Sequence, residues 1–317
     1  MQRRMILAAT GATLLAGAAR AQDFPSQPLR IVIPFTPGGS NDVLARLIAE
    51  RLGARWQKPF VAENRPGAAG SIGAEAVARA APDGHTWVLA PNQIFCTNPH
   101  LMRSQFDPLR DLAIAARVAR VQTLLVVHPD LPARNVREFV ALAQERKGAF
   151  SYPSSGVGSF QHLGVAGLVG EDMVHVPYSG AGALLPDLLA GRVHAFCGAL
   201  NSLLPHVRAG TLRPLAAMTP MRASLLPEVP SIVEAGFPDA VTEIWASVAL
   251  PAATPRPIIE QVHQALVALF SEADVISRLA GQGIEVALQS PEAITATARA
   301  EFAATGALLR RLGIRPS

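Results

Sequence analysis

A short apolar strand that runs into a glycine-rich turn and then a helix occurs twice in this chain, and this arrangement limits the possible folds most strongly. The first copy starts with the β-branched strand Ile31–Ile33 and continues through the turn Pro37–Ser40. Apolar residues then recur at helical spacing over Val43–Leu52. Two more strands with a helix between them follow at Phe60–Ala62, Ile72–Ala81 and Trp87–Ala90. This alternation is typical of a parallel sheet covered by helices.

The same alternation restarts in the middle of the chain. A strand at Leu124–Val127 and a helix over Val136–Arg146 come first. A strand at Phe150–Tyr152 then runs into the Gly/Ser-rich loop Ser154–Ser159 and a further helix. The other strands predicted for this unit are Met173–Val176, Val193–Cys197 and Leu212–Met218.

The C-terminal region contains more structure than the second unit needs. Its predicted strand and helices are Trp245–Leu250, Pro257–Phe270, Glu272–Leu279 and Pro291–Leu312. We expect this region to return and pack on the first unit, so that the chain crosses between two lobes twice.

The N-terminus has the three-part layout of a cleavable signal peptide. Arg3 and Arg4 give a positive start, and Met5–Ala18 is an uncharged, mostly apolar segment that is too short to span a bilayer as a helix. Ala19-Arg20-Ala21 then places small residues at the two positions that a signal peptidase reads. Residues 1–21 are therefore predicted to direct export to the periplasm by the Sec route or, because the arginines are paired, the Tat route.

Removal of the signal peptide changes the charge of the protein. The full chain has 28 Lys and Arg residues against 24 Asp and Glu residues, and the mature chain keeps 25 against 24. A nearly neutral protein lacks the positively charged surface that binds nucleic acids and anionic membranes, so no nucleic acid partner is expected. About 296 residues remain, half of the chain is hydrophobic, and this is enough for two lobes with their own cores.

Motifs for catalysis, metals and cofactors are not recognisable. The eight histidines are scattered without metal-site spacing, and Tyr178–Gly182 lacks the first glycine of a nucleophile elbow. Gly156-Val157-Gly158 lacks the third glycine of a dinucleotide turn. Cys96 and Cys197 fall in different predicted lobes, where a disulfide would lock the lobes together, so two unpaired, partly buried thiols are expected. The sequence predicts no catalytic residue, no metal site and no cofactor.

Two strand-to-helix turns are candidates for a ligand site for the same physical reason. Residues 37–42 read Pro-Gly-Gly-Ser-Asn-Asp, and residues 154–159 read Ser-Ser-Gly-Val-Gly-Ser. Glycine lets a ligand approach the backbone, and the first N–H groups of a helix bind an anion with neutral donors. Both turns follow the carboxyl end of a strand, so we expect them to face each other across a cleft. The alternative for each is an ordinary turn in which Ser40 or Asn41 only caps a helix.

These turns also carry a family resemblance. Residues 34–42, Pro-Phe-Thr-Pro-Gly-Gly-Ser-Asn-Asp, resemble the opening loop of the Bug (TctC-type) receptors, the periplasmic solute receptors of tripartite tricarboxylate transporters. The likeness covers nearly the whole mature chain in order and spacing, through the motifs at residues 63–70, 82–84, 161–163, 174–178, 204–206, 226–230 and 234–236. No single motif is specific, but the series is.

The resemblance implies an α/β fold of two lobes, a type II-like periplasmic binding protein. Each lobe is expected to be a mixed, mostly parallel sheet flanked by helices, with the cleft between the lobes. Lobe 1 is predicted to comprise residues 22–124 plus 246–317, and lobe 2 residues 125–245. In this family the two turns hold a ligand carboxylate through backbone amides, hydroxyls and ordered water. Carried over, this implies the ligand-binding residues Thr36, Gly38, Gly39, Asn41, Asp42, Ser154, Ser155, Gly158, Ser159 and Gln161.

The chain also departs from the family pattern. After Phe196-Cys197 the family commonly has Asp-Asn, whereas this chain has Gly198-Ala199. Loss of the acidic side chain argues against an amino-acid ligand. Gly198 is expected to enlarge the pocket for a bulkier or more apolar carboxylate, so Gly198 joins the predicted ligand-binding residues. Phe160 stands where a small polar residue is common, and both a contact with a ring of the ligand and a place in the core stay open for it.

The resemblance implies that the mature protein, as a monomer, captures a small organic carboxylate and presents it to the membrane subunits of a tripartite transporter. The lobes would close around the ligand, because ligand contacts to both lobes stabilise the closed form. Two alternatives stay open. One is a receptor that presents its closed form to a sensor kinase, and the other is an exported ester or amide hydrolase.

Overall fold

The strands and helices follow the repeated strand–turn–helix pattern closely. The computed structural model describes residues 24–102, 104–179 and 181–315, and the predicted signal peptide lies outside the described residues. The strands of the described part are β1 (Leu29–Ile33), β2 (Phe60–Asn64), β3 (Thr86–Pro91), β4 (Leu112–Val121), β5 (Thr123–Val127), β6 (Ser151–Ser154), β7 (Val174–Pro177), β8 (Ala195–Ala199), β9 (Arg213–Ala217), β10 (Ile244–Pro251) and β11 (Ile284–Gln289).

The helices cover both faces of the sheets that these strands form. They are α1 (Ser40–Trp56), α2 (Ser71–Ala78), α3 (Asn92–Cys96), α4 (Asn98–Leu101), α5 (Pro108–Asp111), α6 (Val136–Glu145), α7 (Phe160–Val169), α8 (Ala181–Leu189), α9 (Leu200–Arg208), α10 (Arg256–Phe270), α11 (Ala273–Ala280) and α12 (Pro291–Arg311). None of the helices within the described ranges combines the length and apolarity that a membrane crossing requires.

One six-stranded sheet has the order β11-β4-β10-β3-β1-β2. Strand β1 runs parallel to β2 and β3, whereas β10 runs antiparallel to β3 and β4, and β11 runs antiparallel to β4. A second unit contains the antiparallel sheet β8-β5-β9 and the parallel pair β6-β7. The sheets are mixed and flanked by helices as predicted, but parallel pairs are fewer than expected. The returning strand β10 inserts between β3 and β4 against their direction and makes two of the five antiparallel pairings in the described part. The other three join β11 to β4 and β5 to β8 and β9.

The core of the first unit explains why α1 forms where the apolar spacing predicts it. Leu44, Leu47, Ile48 and Leu52 recur on one face of α1 and are all buried. They join a cluster that includes Trp87 of β3. Burial of large apolar side chains at about 25 cal/mol per Å² therefore fixes α1 on the sheet, so the beginning of α1 lies at the carboxyl end of β1.

Two chain crossings connect the units. Strand β4 continues almost directly into β5 through Gln122, and the chain returns at Glu243 into β10. The first crossing is held by hydrogen bonds, since the Gln122 N–H donates to the Gly283 carbonyl at 3.0 Å and the Gln122 carbonyl accepts from the Leu200 N–H at 2.8 Å. The limits of the two lobes stay a prediction. The division of the strands between separate sheets supports it.

Candidate functional site

A cavity of about 670 Å³, part of it open to solvent, lies between loops of the two units. Its walls come from the ends of five strands and the beginnings of three helices. The lining residues are Phe35, Thr36, Gly39, Ser40, Asn41, Asp42, Pro91, Ser155, Phe160, Gln161, Phe196, Ala199, Ser202 and Ile244. The two predicted loops therefore meet at one cavity.

The first loop presents the beginning of α1 to this cavity. Gly39 precedes the helix, and its carbonyl accepts the N–H groups of Asp42 at 3.0 Å and Val43 at 3.2 Å. The N–H groups of Ser40 and Asn41 come before these bonds, so they have no intrahelical acceptor. Both residues line the cavity. A positively polarised pair of donors therefore faces the space between the units.

Asp42 holds the first loop in shape. Its carboxylate accepts two hydrogen bonds of 2.9 Å from the Arg46 guanidinium, one of 3.1 Å from Asn64 Nδ2 and one of 3.4 Å from the Gly38 N–H. Burial raises the pKa of Asp42, but the hydrogen bonds from Arg46, Asn64 and Gly38 outweigh it and hold the pKa below its usual value. Asp42 is therefore ionised and already paired, and the Gly38 N–H is committed to it.

The second loop presents the beginning of α7. The Ser159 hydroxyl caps this helix by accepting the His162 N–H at 3.2 Å, while the Ser155 hydroxyl donates to Gln161 Oε1 at 2.8 Å. As on α1, the first N–H groups of the helix, those of Phe160 and Gln161, have no intrahelical acceptor. Phe160 and Gln161 both line the cavity.

Two buried histidines support the second loop from behind. The rings of His162 and His175 stack with centroids 3.8 Å apart and planes within 5°. His162 Nδ1 accepts the Gly158 N–H at 2.9 Å, and His175 Nε2 lies 2.6 Å from Ser154 Oγ. Burial and, to a smaller extent, the proximity of His175 together lower the pKa of His162 to about 4. His162 is therefore neutral near pH 7, as its acceptor role requires.

The structure separates the predicted ligand-binding residues into two groups. Those that line the cavity are Thr36, Gly39, Asn41, Asp42, Ser155 and Gln161. Those that are not among its lining residues are Gly38, Ser154, Gly158, Ser159 and Gly198. Gly158 has a φ of +75°, and a Cβ there would collide with Leu101 and Thr97, so this glycine lets the second loop pack against the first unit. Direct ligand contact by either group stays a prediction.

The expectation for Gly198 needs a correction. A Cβ at this position would collide with the ring of Phe196, and it is Phe196 that lines the cavity. The ring of Phe196 thus occupies the space that a side chain at position 198 would take, and the glycine does not enlarge the pocket. An acidic residue at position 198 would first have to displace that ring.

Sequence reasoning missed the contribution of α9. This helix starts directly after β8, and its residues Ala199, at the cap, and Ser202 line the cavity. The hydroxyl oxygen of Ser202 is buried and has no hydrogen-bond partner in the described part of the chain, and the same holds for Thr36 Oγ1. The junction of the predicted strand Val193–Cys197 with a following helix was a usable signal, because ligands gather at such junctions. It has a single glycine, Gly198, which was predicted to widen the pocket, and the start of the following helix was not predicted as part of the site.

The residues that line the cavity carry little charge, although helices begin there. None of its lining residues in the described part is Lys, Arg or His, and its one charged residue, Asp42, is paired with Arg46. An anion would therefore be held by neutral amide and hydroxyl donors. Phe35, Phe160 and Phe196 supply apolar walls that suit a hydrocarbon body.

The two cysteines are packing residues. Cys96 and Cys197 are both free and buried, which confirms the expectation of unpaired thiols. Burial raises the pKa of the Cys197 thiol to about 12, and burial likewise raises that of Cys96. A thiol that stays protonated is a poor nucleophile, so neither residue has the environment of a catalytic cysteine.

Two α/β units joined by two chain crossings, with a polar-ended cavity between their loops, define the class of two-lobed solute-binding proteins. Comparison with known families gives the particular family. The model of the TctC family, described as the tripartite tricarboxylate transporter family receptor, matches residues 44–314. The chain belongs to this family, which confirms the resemblance seen in its motifs.

Individual relatives agree with this assignment. The UPF0065 protein in the tcbD–tcbE intergenic region of Pseudomonas sp. strain P51 is 32% identical over 299 residues, covering 92% of this chain and 89% of that protein. Protein BugT of Bordetella pertussis is 31% identical over 283 residues, covering 88% and 87%. Both relatives match over most of their length, so the likeness is not confined to one lobe.

Solved structures extend the comparison to proteins with bound ligands. R. palustris Rpa4515 with adipate has a TM-score of 0.89 at 34% identity, covering 93% of this chain and 100% of that chain. MatC (Rpa3494) from Rhodopseudomonas palustris with bound malate has a TM-score of 0.84 at 27% identity, covering 90% and 100%. These and other family neighbours are binding proteins.

Proposed function

We propose that this protein is a periplasmic receptor that binds the carboxylate of a small organic acid in the cavity between its lobes, without chemical change. One observation carries the proposal: the first residues of α1 and α7, whose amides have no intrahelical acceptor, line one cavity that has no cationic side chain in the described part. The ligands of the two R. palustris neighbours, adipate and malate, support the carboxylate class.

Lobe closure and delivery are further parts of this proposal. Residues 1–21 direct export, and the mature chain acts as a monomer whose lobes, residues 22–124 plus 246–317 and residues 125–245, close on the acid. Contacts from both lobes to one carboxylate favour the closed form, which the membrane subunits of a tripartite transporter then recognise. The family description as a transporter receptor favours this output over a sensor kinase.

A thermal-shift panel tests the carboxylate assignment. The panel contains mono-, di- and tricarboxylic acids and aromatic acids. We expect at least one of them to raise the melting temperature of the protein, because a ligand that binds only the folded state stabilises it. The methyl ester of the same acid removes the negative charge with little change in shape, so it should give no shift. Equal shifts from acid and ester, or no shift from any acid, would reject the assignment.

Asp42→Ala is expected to weaken binding of the best acid in that panel by about tenfold, a cost of roughly 1.4 kcal/mol. The substitution removes the common acceptor of Gly38, Asn64 and Arg46, so the first loop loses the shape that presents its amides. Isothermal titration calorimetry measures the change. Asp130→Ala, at a side chain that is 93% exposed, is the matched control and should bind as wild type does. Unchanged affinity in Asp42→Ala would show that the loop keeps its shape without this carboxylate.

A further inference from the structure

A second cavity of about 1320 Å³, part of it open to solvent, adjoins the first. It is lined from both units, by residues of α3, α7, β4 and α12 among others. In the described part of the chain, Phe160 is the one residue that lines both cavities. The two spaces are therefore neighbours, and the boundary between them includes the ring of Phe160.

Backbone of the first unit also lies at that boundary. At the end of β3, Pro91 lines the first cavity and the next residue, Asn92, lines the second. At the start of β10, Ile244 lines the first cavity and Trp245 lines the second. Main chain of the six-stranded sheet cannot move aside without breaking its ladder. Phe160 is the one described residue that lines both cavities, so its side chain is the part of the boundary to substitute.

The second cavity contains a buried cation, Arg117, that makes no direct ion pair in the described part of the chain. Arg117 is only 7% exposed, and its Nε donates to the Ala287 carbonyl at 2.9 Å. Of the three carboxylates that line the cavity, Asp239 is exposed, and those of Glu243 and Glu301 have other partners. Glu243 pairs with Arg120 at 2.7 Å. Both oxygens of Glu301 accept hydrogen bonds of 2.6 Å, from the side chains of Asn92 and Trp245.

Arg117 offers a charged donor group to an anion that enters the second cavity. Burial, followed by the nearby charge of Arg120, lowers the pKa of its guanidinium, and the charges of Glu243 and Glu301 offset this in part without forming an ion pair with it. A carboxylate that reached Arg117 would form a charge-assisted, bidentate pair. The polar side chains of Gln93 and Thr297 also line this space.

We propose that Phe160 sets the maximum length of the acid that the receptor accepts, and that the cavity behind it is a second carboxylate subsite centred on Arg117. The ligand class that would use both subsites is an unbranched dicarboxylic acid too long for the first cavity alone. One carboxylate would lie at the first turns of α1 and α7, and the other at Arg117. This inference rests on the proposed function for the first subsite only.

Replacement of the ring tests the inference directly. Phe160→Ala is expected to join the two cavities. Across the unbranched dicarboxylates from butanedioate to dodecanedioate, the chain length that binds most tightly should therefore be longer in this variant than in wild type. At least one acid beyond the wild-type optimum should gain about tenfold in affinity by isothermal titration calorimetry. Adding Arg117→Gln to Phe160→Ala should remove that gain, because the far carboxylate loses its cation.

Phe150→Ala is the matched control. Like Phe160, Phe150 is a partly buried residue packed against the core of the second unit, but it lines neither cavity, so its truncation leaves the boundary closed and the length profile as in wild type. Phe160→Leu keeps an apolar side chain against the core of the second unit and gives a second, milder test if the alanine variant unfolds. A smaller shift in the same direction is expected.

The outcomes separate this inference from the proposed function. A wild type that binds acids, together with Phe160 variants that show the same length profile, overturns the inference and leaves the function standing. An affinity gain that persists when Arg117→Gln is added to Phe160→Ala contradicts the second carboxylate subsite at Arg117. A wild type that binds no acid contradicts the proposed function, and the inference then fails too unless Phe160→Ala binds long dicarboxylates.

Discussion

Gly39→Val is expected to weaken acid binding by at least about 100-fold, or roughly 2.7 kcal/mol, while the fold stays nearly unchanged. Gly39 has φ −86° and ψ 171°, which every residue adopts readily, and a Cβ at this position would have no atom within 4 Å. The new side chain therefore fits. It fills space in the cavity beside the amides of Ser40 and Asn41, so a carboxylate can no longer approach them.

Two other glycines make this prediction specific. Gly167→Val also places a side chain in open space, but at a residue that lines only the second cavity, so it should bind the best acid as wild type does. Gly38→Val, at φ +95°, should lose stability because a β-branched residue is strained there. Calorimetry and thermal melts measure both effects. Tight binding by Gly39→Val would mean that the first loop does not hold the acid.

Much of the fold was predictable because local chemistry decides it. The β-branched strand Ile31–Ile33, the glycine turn and the apolar spacing of α1 each specify their own structure, and tertiary packing agrees with them. Strand β4 was not predicted. Its sequence Leu-Ala-Ile-Ala-Ala-Arg-Val-Ala-Arg-Val is rich in alanine and buried on both faces, so neither the alternation of a half-exposed strand nor a helical face is visible.

The donor side of the site was predictable for the same reason. Free amides at the beginning of α1 and α7 follow from the turn and the helix start, whichever way the rest of the chain folds. The walls were not, because they depend on distant packing. Phe196 occupies the space beside Gly198, and Ile244 enters from the returning strand β10. Ile244 is far from both loops in the sequence. Phe196 is only two residues from Gly198, but the sequence does not show where its ring lies, so Gly198 was predicted to enlarge a pocket that a ring fills.

Acid is expected to destabilise the protein through His162. In an unfolded chain this side chain has a pKa of about 6.5, whereas in the folded protein burial lowers its pKa to about 4. The unfolded state therefore binds the proton more readily as the pH falls through this window. The stability contributed by neutral His162 is complete above about pH 6.5 and is lost progressively down to about pH 4, by about 3 kcal/mol in all.

The same protonation connects stability with binding. A protonated Nδ1 can no longer accept the Gly158 N–H, and the charge would lie in a stack against the ring of His175. The second loop, which presents the first turn of α7, would lose its support. We therefore expect acid affinity to fall in the same pH window, for a ligand whose own carboxylates stay ionised there.

His162→Asn isolates this residue from the carboxylates that also titrate in acid. Its Oδ1 lies near the position of Nδ1 and can accept the Gly158 N–H, but it takes up no proton. Chemical denaturation between pH 7 and pH 4 should give a curve that is flatter than that of wild type, by up to about 1.4 kcal/mol per pH unit. His206→Asn, on α9 and outside both loops, should keep the wild-type slope. Parallel curves for wild type and His162→Asn would mean that His162 binds a proton equally readily in the folded and unfolded states, which contradicts the prediction.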